Sequence, residues 1–194
     1  MAKNRLDHDQ ICKAALRVFA RYGFKRTRME DVAAELDVAA GTLYRYVTDK
    51  RDLYQQAVAR GLLEWQNSAK AAIDPQAPAI EQLRSYLLGG YDYLGRDDDL
   101  RTTLVGDPSF FPLSPKDDPF QSINRLPMTS LKQILFSGVQ SGEFRSFDVD
   151  TIAELFYSIF IMFIIKTYVK SETQSTRQML EASFELMCTG ILNS

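Results

Sequence analysis

The sequence predicts an all-α protein of about nine helices, and three observations support this fold class. Apolar residues recur at helical spacing along nearly the whole chain of 194 residues. No convincing run of strictly alternating apolar and polar residues appears, so strands are not predicted. Turn-forming residues interrupt the helical pattern, most clearly at 74–78 and in the proline-rich stretch 106–119.

The first predicted helix runs from about Asp7 to Tyr22 and ends at Gly23, because glycine accepts a positive φ after a last turn. Its predicted inward face consists of Ile11, Ala14, Ala15, Val18, Phe19 and Tyr22. The second helix is predicted to open at Thr27, with Glu30 at the spacing of a capping box.

The third predicted helix covers about residues 40–47 and follows a short turn at 37–38. Leu43 and Val47 share its inward face, since residues four apart lie on one side of a helix. The second and third helices therefore have helix-turn-helix spacing, with the motif at residues 28–47.

The outward side of the third helix carries residue types that suit DNA. Small residues permit close backbone approach, and hydroxyl and cationic groups donate to phosphates or base edges. The small residues are Ala39, Ala40 and Gly41, and the donors are Thr42, Tyr44, Tyr46 and Lys50. The alternative is a three-helix bundle that packs without binding DNA.

Six further helices are predicted after this motif, the first of them opened by Asp49 as its cap. Their approximate ranges are 49–72, 78–95, 100–105, 120–141 with Pro127 as the place for an interruption, 148–170 and 174–192. The stretch 106–119 is predicted to be a long loop, and long loops inside compact domains are often functional.

Charge and composition narrow the class of protein. Residues 1–53 hold 11 Lys/Arg against 8 Asp/Glu, and the remainder holds 12 against 17, an asymmetry expected when one end meets phosphate. No apolar run approaches the roughly 20 residues of a membrane span, and no secretory signal is present, so we expect a cytoplasmic protein without a membrane partner. Cys12 and Cys188 form no disulfide framework or zinc spacing, and we expect two reduced thiols.

The run from Val38 to Leu53 reads V-A-A-G-T-L-Y-R-Y-V-T-D-K-R-D-L and resembles the recognition helix of the TetR family of repressors. The preceding residues, A..VFARYGF..T.MEDVA, resemble the first two helices of that family, and the resemblance covers about residues 9–60. It implies phosphate contacts at Thr27, Arg28, Thr42, Tyr44, Tyr46 and Lys50, and base contacts at Ala40 and Arg45. Close approach of Gly41 to DNA completes the expected DNA-binding set.

Two positions depart from the family pattern. Asp37 stands where the family often has a glycine, and aspartate tolerates positive φ better than most residues. Ala39 stands where the family often has Ser or Thr, and the lost cap costs roughly 1 kcal/mol.

The resemblance also implies a division into a DNA-binding domain at 1–53 and a ligand-binding and dimerisation domain at 54–194. Helix 152–165 is apolar almost all round, so it needs cover on more than one side. A second copy, packed through the last two helices, supplies that cover; the alternative is a central helix of a monomeric bundle. The expected DNA partner is a palindromic operator.

Aromatic residues are dense in the middle of the chain and are candidates to line an apolar effector pocket bordered by the 106–119 loop. The candidates are Trp65, Tyr86, Tyr91, Phe110, Phe111 and Phe136. For each of them alone, ordinary core packing is the competing interpretation. The acidic groups at 97–99 and 117–118 are interpreted as turn and cap residues, so no metal is expected.

The expected function is a ligand-responsive, DNA-binding transcriptional regulator, a repressor released by a small apolar or aromatic effector. The alternative is a DNA-binding protein that needs no ligand. An enzyme is not expected, because the only histidine is His8 and no nucleophile set, metal spacing or phosphate loop appears. No cofactor is expected.

Overall fold

The computed structural model describes residues 6–107, 120–169 and 173–192. In this part of the chain the secondary structure is helical, apart from one isolated antiparallel bridge between Phe144 and Leu192. The helices are α1 (His8–Arg26), α2 (Met29–Glu35), α3 (Ala40–Leu43), α4 (Lys50–Ala71), α5 (Ala79–Arg96), α6 (Asp98–Gly106), α7 (Gln121–Asn124), α8 (Leu126–Gln140), α9 (Val149–Ile164), a π-helical segment (Ile165–Val169) and α10 (Thr173–Ile191). The all-α prediction is confirmed.

Within the described residues, the predicted helix 120–141 is interrupted near Pro127, as the sequence suggested, and forms the two helices α7 and α8. The break falls at Arg125, and Pro127 lies in the first turn of α8. Proline is favoured there, because the first N–H groups of a helix have no intrahelical partner. None of the helices in the described residues combines the length and apolarity needed to cross a bilayer.

The chain divides into two compact units, residues 1–64 with 97–123 and residues 65–96 with 124–194. Helix α4 contributes residues to both units. The boundary between the predicted DNA-binding domain (1–53) and ligand-binding domain (54–194) was based on expected function, and it stays a prediction.

In the first unit, α1 packs along α6. Gly61 of α4 lies against this pair, and a Cβ there would be 2.9 Å from a methyl carbon of Leu100. The predicted inward face of α1 is buried except for Tyr22, for which the prediction is wrong. The Tyr22 ring lies on the surface, with the Arg21 guanidinium 5.7 Å from its centroid.

In the second unit, α8 packs against α5 and α9, and α10 packs against α9 and the π-helical segment. A glutamate of the loop after α8 caps α5. The Glu143 carboxylate accepts hydrogen bonds from the backbone N–H groups of Ala79 (2.7 Å) and Ile80 (2.9 Å). This contact joins segments more than 60 residues apart in sequence.

Candidate nucleic-acid interface and apolar cavity

The turn at residues 36–39 joins α2 to α3 and has the hydrogen bonds of a Schellman motif. The Val38 N–H donates to the Ala33 carbonyl (3.0 Å), and the Asp37 N–H donates to the Ala34 carbonyl (3.2 Å). Among the described residues Asp37 is the only non-glycine with a positive φ, at 53°. The prediction that aspartate occupies this turn without abolishing it is confirmed.

Helix α3 presents Leu43 and Val47 to the core, as predicted, and both are buried. The α-helix ends at Leu43, earlier than expected, because two of the following N–H groups donate three residues back: Arg45 to the Thr42 carbonyl (3.3 Å) and Tyr46 to the Leu43 carbonyl (2.9 Å). Ala39 is the N-cap and supplies no side-chain hydrogen bond, as its sequence predicts.

The outward arc of the motif is solvent-exposed and polar. Arg28, Gly41, Tyr44 and Arg45 are exposed, and Ala40, Thr42 and Tyr46 are partly exposed. A Cβ built on Gly41 would meet no protein atom within 4 Å. Packing within the described residues therefore does not require glycine at this position. A binding partner in close contact with the backbone would require it.

The start of α2 differs from the predicted capping box. Thr27 is only 1% exposed, and its hydroxyl donates to the Gly23 carbonyl (2.9 Å) instead of capping α2. The cap contact is formed one residue later, where the Arg28 N–H donates to the Asp31 carboxylate (2.7 Å), so Glu30 has no such role. The shift arises because the chain makes one more helical turn after Gly23, where φ is 75°. The buried Thr27 side chain does not lie on the outward arc.

The side chain of Lys50 is partly exposed, but its ammonium group is hydrogen-bonded to backbone carbonyls of the same unit. It donates to the carbonyls of Phe24 (2.9 Å) and Thr27 (2.9 Å), with the Lys25 carbonyl at 3.4 Å. It also lies 4.7 Å from the centroid of the Phe24 ring. Its N–H groups are therefore directed at the end of α1.

A chain of hydrogen bonds fixes the segment between α3 and α4. The Asp52 carboxylate accepts from the Thr48 backbone N–H (2.7 Å) and from Gln56 (2.7 Å), and the Thr48 N–H is the main cause of the lowered pKa of Asp52. Asp49 caps α4 by accepting from the Asp52 N–H (2.8 Å), as predicted. Gln56 in turn contacts the His8 ring (2.5 Å). The hydrogen bonds therefore connect the segment before α4 to the start of α1.

The second unit contains a small apolar cavity of about 10 Å³, room for about one water molecule. Its walls are Trp65, Gln66, Ala69, Tyr86, Leu87, Gly90, Pro127, Leu131, Tyr157 and Phe160. The Trp65 indole N–H donates to the Gly90 carbonyl (2.7 Å). Burial raises the pKa of Tyr86 to about 12. Two of the predicted pocket residues, Trp65 and Tyr86, therefore line this cavity.

The other predicted pocket residues do not line it. Tyr91 is buried elsewhere in the unit, where its hydroxyl is 3.0 Å from the Thr167 hydroxyl. Phe136 is 56% exposed, because it lies on the side of α8 that faces away from the core, and the prediction for it is corrected. Phe110 and Phe111 lie outside the described residues.

Two aromatic residues of the cavity were missed. Tyr157 and Phe160 belong to α9, which we interpreted from sequence only as a helix needing cover on two sides. Their spacing of three residues places them on one helical face, and this was the available signal.

Comparisons with known proteins agree with the helix-turn-helix described above. Residues 11–57 match the model of bacterial regulatory proteins of the tetR family. The fatty acid metabolism regulator protein of Bacillus subtilis (strain 168) is 26% identical over 197 residues, covering 100% of both chains.

Two solved structures share the fold. The transcriptional regulator FadR from Bacillus subtilis, in complex with stearoyl-CoA, aligns with a TM-score of 0.75 and 21% identity over 95% of this chain and 100% of that chain. SmeT, the repressor of the Stenotrophomonas maltophilia multidrug efflux pump SmeDEF, aligns with a TM-score of 0.76 and 17% identity over 98% and 92%.

The exposed helix-turn-helix and the helical second unit define a DNA-binding transcriptional regulator. Residues 11–57, about a quarter of the chain, are similar to the bacterial regulatory proteins of the tetR family.

Proposed function

We propose that this regulator is a homodimeric repressor that binds a palindromic operator and leaves it when an apolar effector binds the second unit. The observation that carries the DNA-binding part is the polar outward arc around Gly41, where a Cβ would meet none of the described residues within 4 Å. The proposed contact residues are Arg28, Ala40, Gly41, Thr42, Tyr44, Arg45 and Tyr46.

Each residue type on the arc suits a different part of the duplex. Gly41 permits the backbone to approach the major groove closely. The hydroxyls of Thr42 and Tyr44 donate to phosphate oxygens, which fixes the register without reading sequence. Arg45 donates to a base edge, and a bidentate arginine contact to guanine discriminates against other bases by about 1–3 kcal/mol.

The dimer is proposed to form through α9 and α10. Leu155 and Met162 of α9 are seven residues apart, so they share one face, and Met162 is 54% exposed. Met179 and Leu186 of α10 have the same spacing, and Leu186 is 76% exposed. Large apolar side chains in such a row mark an interaction surface. A second copy supplies an identical apolar face, which a two-fold axis pairs with the first.

The effector is proposed to enter the cavity at Trp65. A cavity of about 10 Å³ has no room for it, so the aromatic walls must separate when it binds. A ligand that binds only the open arrangement shifts the population toward that arrangement. Trp65 lies on α4, the helix that follows the recognition helix in sequence, so a displacement of α4 would also move α3. The two recognition helices would then no longer match half-sites roughly 34 Å apart.

One relative indicates the class of effector. The similar Bacillus subtilis FadR binds stearoyl-CoA, a molecule with a long apolar chain. The apolar walls of the cavity suit such a chain better than a charged ligand. A long-chain acyl compound is therefore the first probe to use.

One observation favours the alternative of a DNA-binding protein without an effector. The cavity has volume for about one water molecule, and a tightly packed apolar cluster is also what an ordinary core contains. The two candidates differ in whether any ligand changes DNA affinity.

The test uses the purified full chain. Selection from a random duplex library should yield one palindromic consensus, and sedimentation should show a dimer on that duplex. Stearoyl-CoA should then release the fluorescently labelled duplex. Binding of all duplexes with equal affinity would contradict sequence-specific regulation. Specific binding that neither this ligand nor other acyl compounds weaken would support the ligand-independent alternative.

A further inference from the structure

Three segments of the first unit meet at the Lys50 ammonium. Lys50 is the first residue of α4, Phe24 and Lys25 belong to the last turn of α1, and Thr27 precedes α2. The Lys50 N–H groups point to one carbonyl of each of the latter three residues, at 2.9, 3.4 and 2.9 Å.

These carbonyls are groups that need a donor. The last carbonyls of a helix have no intrahelical N–H, and they form the negative end of the helix dipole. A cation at this end is stabilising, and the face of the Phe24 ring, 4.7 Å away, attracts the same charge. Lys50 of α4 thus supplies N–H donors to carbonyls at the end of α1, after the extra turn beyond Gly23.

We infer that Lys50 is a positioning residue of the DNA-binding unit and not a phosphate contact. An ammonium has three N–H donors, and the Lys50 nitrogen lies 2.9 Å from the Phe24 and Thr27 carbonyl oxygens, with the Lys25 carbonyl oxygen farther away at 3.4 Å. Bonding a phosphate would require leaving carbonyls of the α1–α2 connection without a donor. The contact instead ties that connection to the start of α4.

The contact between Lys50 and the Thr27 carbonyl matters for DNA binding, because α2 and α3 lie between these two residues in the sequence. Arg28 directly follows Thr27, whose carbonyl Lys50 binds, and Lys50 follows α3 after the short segment that Asp52 fixes. Holding both ends at one point sets where Arg28 stands relative to α3. The consequence for DNA rests on the proposed function, whereas the contact itself does not.

Two variants separate positioning from phosphate binding. Lys50→Met removes the charge and the donors, and Lys50→Arg keeps the charge but replaces three tetrahedral donors by a planar guanidinium. Arg51→Met is the matched control, because Arg51 is exposed in the same turn of α4 and carries the same charge. Three quantities are measured: the melting temperature, the affinity for the selected operator duplex at a temperature where every variant is folded, and the slope of log affinity against log salt.

For a positioning residue, both Lys50 variants should melt about 5 °C below the wild type, and the control should melt within about 1 °C of it. Both should bind the duplex roughly tenfold more weakly, because Arg28 is no longer held in its position relative to α3. The salt slope of Lys50→Met should equal that of the wild type, because no phosphate contact is lost with the charge.

Two results would overturn the inference. An unchanged melting temperature with a slope about 0.9 flatter for Lys50→Met, and wild-type binding by Lys50→Arg, would make Lys50 a phosphate contact. A lower melting temperature with unchanged affinity of the folded variants would make it a stabilising residue without a positioning role.

A measurement on the wild type covers the case in which neither variant folds. NMR of the Lys50 ammonium in the full chain should detect slowly exchanging protons before DNA is added, and the same signal after the duplex is added. A signal lost to fast solvent exchange in the free protein would refute the contact. If the wild type bound no duplex at all, the proposed function would fail while the ammonium signal would still test the contact.

Discussion

Replacing Glu143 by alanine removes the only side-chain cap seen at the start of α5 among the described residues. Its carboxylate accepts two backbone N–H groups, at 2.7 and 2.9 Å, at the positive end of that helix. Loss of a side-chain cap costs about 1 kcal/mol, and loss of an anion at a helix N-terminus costs about 0.3–1 kcal/mol. Because Glu143 is partly exposed, we expect the free energy of unfolding to fall by about 1.5 kcal/mol in total.

For a chain of this size such a loss lowers the melting temperature by about 3–6 °C. Circular dichroism during heating and urea titration measures both quantities. Glu143→Gln keeps one acceptor oxygen and should lose about half as much. Glu154→Ala is the matched control, since Glu154 is exposed on α9, and it should change the free energy by less than about 0.5 kcal/mol. Equal stability of Glu143→Ala and Glu154→Ala would refute the reasoning.

Five further predictions concern the DNA contacts, the dimer, the turn before α3 and the effector. Tyr44→Phe should weaken binding to every duplex by a similar factor, measured by fluorescence anisotropy, whereas Arg45→Ala should change the consensus obtained from a random library; an identical consensus would contradict a base contact. Leu186→Glu should shift sedimentation from dimer to monomer, because burying an unpaired charge in an apolar interface is costly. Asp37→Gly should raise the free energy of unfolding by about 0.5 kcal/mol, since glycine adopts φ 53° without strain but loses more entropy on folding. Trp65 is the only tryptophan, so added stearoyl-CoA should change its emission, and unchanged emission at concentrations that release DNA would place the effector elsewhere.

Local sequence pattern was sufficient for the helix-turn-helix. Leu43 and Val47 are buried as their spacing predicts, and the positive φ of Asp37 follows from the turn chemistry of aspartate. These features depend on residues a few positions apart, where side-chain periodicity and capping rules apply.

Features that depend on distant residues were not predictable in this way. The Lys50 contacts join residues 23 to 26 positions apart, and they redirect a side chain that the family resemblance assigned to phosphate. Tyr157 reaches the cavity because α9 packs beside α8, and helix periodicity does not specify the neighbouring helix. Phe136 had an aromatic ring in the expected region but lies on the outward side of α8.

Helix α9 carries two apolar faces with different proposed partners. Tyr157 and Phe160 line the cavity, and Leu155 and Met162 form the exposed row proposed to meet a second copy. Under the proposed function, an effector that displaces α9 in one subunit also disturbs the dimer interface. It therefore changes the affinity of the second subunit for the effector. Effector titrations of the dimer should therefore be sigmoidal or biphasic, with a Hill coefficient different from one. A substitution in α9 that changes effector preference would therefore also change this cooperativity.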